Sequence, residues 1–374
     1  MKAGILTFHN AINYGAVLQS YALSETLKKL GLESYVIDYK NQKHEVLYNP
    51  LEIQKKLVTS LKRNPVKGFI RLIRYLLFYK TNYSIKYNKF SSFVNSKINL
   101  YSLSNNSFNN VLDEFDAIIS GSDQIWNPSI LSSFDPVYFL HLGDNLNFKK
   151  ISYAASSGSV EILKDKNDFF ALLSNFDFIS VREKSLHDYI KINTDYDVTT
   201  VLDPTLLLEE VDYRKLFTRC DIMPKDLKKY SLIYSLSGNQ KLAKIANEIS
   251  AETDTEVVEI SSAYYQKKQF KKHIDTAGPI DFLNLIAGAE IVITDSFHGV
   301  CLSIVFRKQF YCALSNNRNS RIIDLLSDLD LSNRIIDIDN IHNRLSQIDY
   351  DSVYEKLILL RKKSLDFLIN SLNN

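Results

Sequence analysis

Short runs of apolar, largely β-branched residues recur along the chain, and most of them stop at small or polar residues. Continuous runs of this kind predict strands buried on both faces of a parallel sheet. They fall at 3–8, 34–39, 115–120, 151–155, 178–181 and 198–202, and again at 231–236, 257–260, 290–294 and 309–313. Between them the apolar spacing becomes helical. Leu23, Leu27 and Leu30 share a stripe that begins after Ala16, and Gly31 stands where a helix ends. Further helices are predicted over 240–250, 280–287, from Gly299, over 320–329 and from about 353 to 372. Strand and helix alternate throughout, so the predicted class is α/β with parallel sheets. A charged, irregular stretch at 208–229 interrupts the pattern, which then restarts. A chain of 374 residues is too long for one ordinary core. The expected organisation is a Rossmann-like unit at 1–207, a second at 208–350, and a C-terminal helix at 351–374, with a cleft between the two units.

One segment combines strand, turn and helix start with reactive chemistry: Ile291-Val292-Ile293-Thr294-Asp295-Ser296-Phe297-His298-Gly299. In open parallel sheets, ligands sit outside the carboxyl ends of the strands, where helix N-termini offer unpaired N–H groups to anions. His298 falls at that point, and Gly299 would let a ligand approach the backbone. The alternative is a turn histidine that caps its own helix. Other strand ends carry Asn13 and Gly15, Asp123 and Gln124, and Arg182. The first βαβ unit lacks the Gly-x-Gly-x-x-Gly phosphate fingerprint, so no dinucleotide cofactor is expected.

Composition narrows the class. Hydrophobic content of 45% and charged content of 24% are those of a globular protein. No signal peptide and no apolar run of ~18 residues is seen, and Cys220, Cys301 and Cys312 lack metal-ligand spacing, so a cytosolic setting is expected. No His-Glu-x-x-His and no Gly-x-Ser-x-Gly occurs, and neither a metal site nor a serine hydrolase is expected. The net charge of +2 hides an asymmetry. Residues 53–112 hold eleven basic side chains and no acidic one, which leaves −9 for the remainder. Within that excursion, residues 69–80 mix apolar and basic positions at helical spacing. Such a segment either lies on an anionic membrane surface or packs its apolar side on the domain. Nucleic acid is not expected, since the rest of the chain is acidic.

Taken together, the strand-end segments resemble the polysaccharide pyruvyl transferase family. They are Asn13-Tyr14-Gly15-Ala16-Val17-Leu18-Gln19-Ser20-Tyr21-Ala22-Leu23, Gly121-Ser122-Asp123-Gln124-Ile125-Trp126, Ser152-Tyr153-Ala154-Ala155-Ser156, Ser180-Val181-Arg182-Glu183-Lys184-Ser185, Leu202-Asp203-Pro204-Thr205 and Thr294-Asp295-Ser296-Phe297-His298-Gly299. They occur in order between residue 4 and about residue 325, with the basic excursion and the C-terminal tail outside the likeness. The resemblance implies a fold like that of the two-domain B-type glycosyltransferases. It also implies transfer of pyruvate from phosphoenolpyruvate onto a sugar as a ketal, in the making of bacterial surface polysaccharide. No cofactor is implied, phosphoenolpyruvate being the donor substrate, and the expected acceptor is a lipid- or nucleotide-linked glycan.

The same resemblance assigns residues. His298 becomes the general acid of the donor site, with Asp295 or Ser296 to orient its ring. Arg182 binds the donor's carboxylate or phosphate. Some members have a lysine about twenty positions after the histidine; this chain departs from them and offers Arg318 or Arg321. Ser296 and Gly299 complete the donor side. Asn13, Gly15 and Gln124 face the acceptor, and Asp123 is either the base for a sugar hydroxyl or a cap on its own turn. Trp126 and Tyr153 are read as packing residues, His9 as a surface loop residue, and Glu183 and Lys184 as a helix start. A B-type glycosyltransferase using a nucleotide sugar and a non-catalytic glycan-binding member are the alternatives.

Overall fold

The computed structural model describes the chain apart from residues 104–111, 113, 143–146, 164–165, 218–221, 223–228, 237–239, 261–268, 315–318 and 337–345. Its strands form two sheets. The first contains β1 (Lys2–Leu6), β2 (Glu33–Ile37), β3 (Leu100–Tyr101), β4 (Ala117–Ser120), β5 (Lys149–Ala155), β6 (Phe178–Val181) and β7 (Val198–Thr200), in the order β3-β2-β1-β4-β5-β6-β7. The second contains β8 (Tyr230–Tyr234), β9 (Glu256–Ile260), β10 (Lys272–Ile274), β11 (Ile291–Thr294), β12 (Gln309–Ala313) and β13 (Ile335–Ile336), in the order β10-β9-β8-β11-β12-β13. Every strand pair is parallel. The central strands β4 and β11 are buried along their whole length, as their continuous apolar runs require. The architecture is two Rossmann-like α/β units whose strand ends meet across a cleft. Each apolar run predicted as a strand forms one. The edge strands β3, β10 and β13 have two or three residues each, too few to register as a periodic signal.

Helices complete the units: α1 (Tyr14–Lys29), α2 (Gln42–Tyr48), α3 (Pro50–Arg63), α4 (Pro65–Arg74), α5 (Lys80–Lys97), α6 (Pro128–Leu131), α7 (Lys166–Leu173), α8 (Lys184–Asn193), α9 (Glu210–Arg214), α10 (Gln240–Thr253), α11 (Pro279–Gly288), α12 (Phe297–Val305), α13 (Ser320–Asp328) and α14 (Tyr350–Asn373). The first helix is buried on nearly all sides because it lies between the units. Tyr14 stacks on Phe282 of α11 with ring centroids 4.2 Å apart, and its hydroxyl donates to the Ala277 carbonyl at 2.9 Å. The C-terminal α14 returns to the first unit. The Leu202 N–H donates to Ser364 Oγ at 2.9 Å, and the Arg361 guanidinium donates to the Leu206 and Leu208 carbonyls.

The basic excursion divides in two. Its last helix, α5, packs on the body of the protein through Tyr83, Phe90, Phe93 and Val94. Lys89 pairs with Asp281 of α11 at 2.7 Å, Asn82 donates to Asp275 at 3.3 Å, and the buried Lys86 lies 4.8 Å above the Tyr14 ring. Near this contact His273 bridges two carboxylates, with Nδ1 2.6 Å from Glu259 and Nε2 2.6 Å from Asp275. Burial works against its charge, but Asp275 and Glu259 prevail and raise its pKa above 6.5. A raised folded pKa means stability that is present below about 6.5 and lost as pH climbs through the folded value. Lys86 acts in the opposite sense, since burial lowers it to about 7. The contribution of His273 is therefore read as a difference: His273→Asn should destabilise the protein more at pH 6 than at pH 8, measured by urea unfolding. An equal loss at both pH values would contradict it.

Candidate active site

Strand ends of both sheets converge on one buried cluster. Strand β6 stops at Val181 and hands Arg182 and Glu183 to the start of α8. Asp203 follows β7, and Asp123 follows β4 in a left-handed conformation at φ 72°. From the second sheet, β11 leads through Asp295 and Ser296 into α12, which places His298 in its first turn. Arg321 comes from the first turn of α13. All of these side chains are buried.

Arg182 holds the cluster together. Its Nη1 donates to Asp203 Oδ2 at 2.7 Å, Asp123 Oδ1 lies 3.7 Å from Nη2, and Glu183 Oε1 lies 3.7 Å from Nε. The guanidinium rests 4.9 Å from the centre of the Phe297 ring, and that of Arg321 lies 5.5 Å from the same ring. Cations over an aromatic face are attracted by its quadrupole. Arg321 Nε is 3.6 Å from Glu183 Oε1, and Glu183 also accepts from the Ser156 hydroxyl. His298 Nε2 is 3.5 Å from Asp203 Oδ2, an ion-pair separation too long for a good hydrogen bond.

These charges shift one another. Burial alone would raise the Asp203 carboxyl, but His298 and Arg182 hold it far below the usual carboxylate range. Burial likewise opposes the Arg182 charge, yet Glu183, Asp203 and Asp123 keep its pKa above the ordinary arginine value. Arg321 is less well compensated. Burial, and then the neighbouring Arg182, lower it to about 10.

The cluster is not closed on itself. Arg182 Nε and Nη2, Arg321 Nε, His298 Nε2 and Glu183 Oε2 are all buried without a hydrogen-bond partner. A buried orphan of this kind costs roughly 1–3 kcal/mol, and several in one place make this cluster the candidate site. A cavity of about 130 Å³ adjoins the cluster, walled by Arg182, Asp203, Phe297, Arg321, Lys184 and Lys363; His298 is not part of its wall. Among the described residues no group of three or more His, Cys, Asp or Glu is arranged to hold a metal ion.

The other expected site residues are placed as follows. Gly15, in the first turn of α1, lies directly against the imidazole of His298. A Cβ there would stand 2.0 Å from Nδ1. Asn13 caps α1, its Oδ1 accepting from the N–H groups of Gly15 and Ala16 at 3.0 and 3.4 Å. Asp123 accepts from its own turn at the Gln124 N–H, 2.8 Å, while it also faces Arg182. Gln124 Oε1 accepts from Asn127 at 2.7 Å and packs on Gly158. Ser296 caps α12, its Oγ accepting from the Gly299 N–H at 3.4 Å. Asp295 accepts from the Ser235 hydroxyl and the Leu236 N–H at 2.9 and 2.7 Å, so the carboxylate facing His298 is Asp203 instead. The absence of a side chain at Gly299 makes room for Thr294, whose Oγ1 would be 2.5 Å from an added Cβ. Arg321 joins the cluster, whereas Arg318 lies outside the described residues.

Three readings change. His9 is buried, not at the surface, with Nε2 2.9 Å from Asp38 and Nδ1 3.2 Å from the Thr7 carbonyl. Glu183 does more than start a helix, because its carboxylate bridges the two arginines. The carboxylate opposite the His298 ring is Asp203, 3.5 Å from Nε2, and not Asp295. Trp126 is core, stacked on Phe139 with its indole N–H donating to the Tyr138 carbonyl, and Tyr153 is buried with its hydroxyl on the Leu202 carbonyl.

The cleft thus joins paired arginines, three carboxylates and a histidine at the strand ends of two parallel sheets. The sequence model of the family described as polysaccharide pyruvyl transferase matches residues 13–318, and the chain belongs to that family of pyruvyl transferase enzymes. No curated protein matches the chain. Among solved structures, similarity is found to S. aureus MnaA in its UDP co-structure, at 10% identity and TM-score 0.46, covering 95% of this chain and 86% of that one. Methanocaldococcus jannaschii UDP-GlcNAc 2-epimerase, in complex with UDP-GlcNAc and UDP, is 13% identical with TM-score 0.45, covering 100% and 93%. The spinosyn forosaminyltransferase SpnP is 11% identical with TM-score 0.44, covering 98% and 95%.

Proposed function

We propose that this enzyme moves the pyruvate unit of phosphoenolpyruvate onto a sugar of a surface-polysaccharide precursor as a ketal, with His298 as general acid. The observation that carries this reading is the set of buried, unpartnered guanidinium donors, Arg182 Nε and Nη2 and Arg321 Nε, beside the likewise unpartnered ring nitrogen His298 Nε2. A phosphate and a carboxylate on a three-carbon frame supply acceptors for such a set, and planar guanidinium forks suit both groups.

In this scheme Arg182 and Arg321 bind the donor, and His298 gives a proton to its methylene carbon. C2 becomes an oxocarbenium-like electrophile. A sugar hydroxyl adds to C2 and loses its proton to Asp123 or to the now neutral imidazole. The C2–O bond to phosphate then breaks. A second hydroxyl adds to the C2 electrophile so formed and its proton passes to the departing phosphate, which leaves as hydrogen phosphate as the ketal closes. Asp203 stays ionised opposite Nε2. Its Oδ2 already accepts from Arg182 Nη1 and the Ser122 hydroxyl, and its Oδ1 from Thr205, so it faces the ring without claiming the proton. An imidazole ring can both give and take a proton.

Gly15 sets the position of the acid. Gly15→Ala must push the ring away, and a displacement near 1 Å costs roughly 10²-fold in turnover. Steady-state rates alongside a thermal melt check this; full activity in a folded Gly15→Ala protein would contradict it. For the reaction itself, millimolar phosphoenolpyruvate should raise the melting temperature and UDP-sugars should not. Release of nucleoside diphosphate from a sugar nucleotide, with no response to phosphoenolpyruvate, would overturn the reading in favour of a glycosyltransferase.

A further inference from the structure

The basic excursion left one surface without a use in the reaction. An amphipathic helix in a globular protein turns its apolar stripe inward. Helix α4 does the reverse. Gly68 is its buried side, continued seven residues on by Tyr75 at the start of the following turn, and a Cβ on Gly68 would meet the Leu61 backbone of α3 at 2.7 Å. Val66, Phe69, Ile70 and Ile73 follow the i, i+3, i+4, i+7 spacing of a single face, and that face points to solvent. Their exposures are 71%, 57%, 53% and 37%. Leu76 and Leu77 carry the stripe into the π-helical turn Tyr75–Tyr79, at 44% and 71% exposed. Among the described residues, ten of the eighteen exposed large hydrophobics lie between Leu47 and Ile85. A patch so concentrated marks an interaction surface.

Charge selects the partner. Lys67, Arg71 and Arg74 are exposed along the border of the stripe, Lys55, Lys56 and Lys80 are exposed nearby, and no acidic residue occurs between 53 and 112. The helix that follows, α5, is committed to the body of the protein through Lys89 and Asn82, which fixes α3 and α4 to the enzyme as an outward-facing platform. A nucleic acid would satisfy the cations but offers no apolar layer for Phe69, Ile70 and Leu77. A bilayer offers both, with anionic headgroups for the cations and an acyl boundary for the stripe. No helix among the described residues is long and apolar enough to cross a membrane, so the contact is one of lying on the surface.

We propose that α4 and the turn after it dock the enzyme on a bilayer containing anionic lipid. Flotation of the full chain with vesicles of phosphatidylcholine, with and without phosphatidylglycerol, tests this apart from any turnover. Binding to the anionic vesicles should exceed binding to neutral ones by about tenfold or more, and should weaken as salt rises from about 0.05 to about 0.5 M. Phe69→Asp with Ile70→Asp, and separately Lys67→Glu with Arg71→Glu, should each reduce binding by about tenfold or more while circular dichroism stays unchanged. These residues are exposed, so the fold does not depend on them. Absence of vesicle binding, equal binding to both vesicles, or binding unaffected by either pair would overturn the proposal. So would a dimer in sedimentation that the same substitutions dissociate, since a second copy would then be the occupant.

Discussion

Replacing His298 by glutamine should lower turnover of phosphoenolpyruvate by about 10²–10⁴-fold and leave the protein folded. Glutamine approximates the size of the ring and keeps a hydrogen-bonding group beside Asp203, but it has no proton to give. The arginines that would hold the donor are untouched, so the loss should appear in kcat, with phosphoenolpyruvate binding by calorimetry within a few-fold of the original. Chemical denaturation should show a change of no more than about 1 kcal/mol. A variant that keeps its kcat and loses affinity would make His298 a binding residue and remove it from the proton transfer.

Replacing Arg182 by methionine should cost about 3–5 kcal/mol of stability as well as donor binding. The side chain is 2% exposed, and solvent screening does little to soften the change. Methionine fills similar space but leaves Asp203, Glu183 and Asp123 buried without the guanidinium that faces all three. Arg182→Lys should fall between the two proteins. An ammonium can keep the contact with Asp203 but cannot present the fork whose Nε and Nη2 await an acceptor. Urea denaturation gives the stability, and a phosphoenolpyruvate titration gives the binding. A methionine variant as stable as the parent would show that the network is not what holds the strand ends together.

Much of this arrangement is legible in the sequence. Apolar runs ending in small polar residues gave the parallel strands, because a strand buried on both faces has no polar alternation to hide it. The positions of Arg182, Asp123 and His298 followed, since strand ends and helix starts are where an open sheet gathers polar groups. Contacts that depend on spatial neighbours were not legible. Asp203 meets His298 because β7 lies beside β6 and because the second unit closes over both, and neither adjacency is written in local spacing. Glu183 resembled a helix start because its partner Arg321 is 138 positions away in the other unit. The excursion at 53–112 showed its amphipathic period but not which side faced the body. That choice is made by Gly68 against α3 and by α5 against α11.

The most direct test is a crystal structure with phosphoenolpyruvate bound. Its carboxylate and phosphate oxygens should lie about 2.7–3.2 Å from Arg182 Nε or Nη2 and from Arg321 Nε. Its methylene carbon should lie roughly 3–3.5 Å from His298 Nε2. A donor bound away from these three residues, or one whose methylene carbon lies beyond reach of the imidazole, would contradict the assignment of His298 as the acid and of the cleft as the donor site.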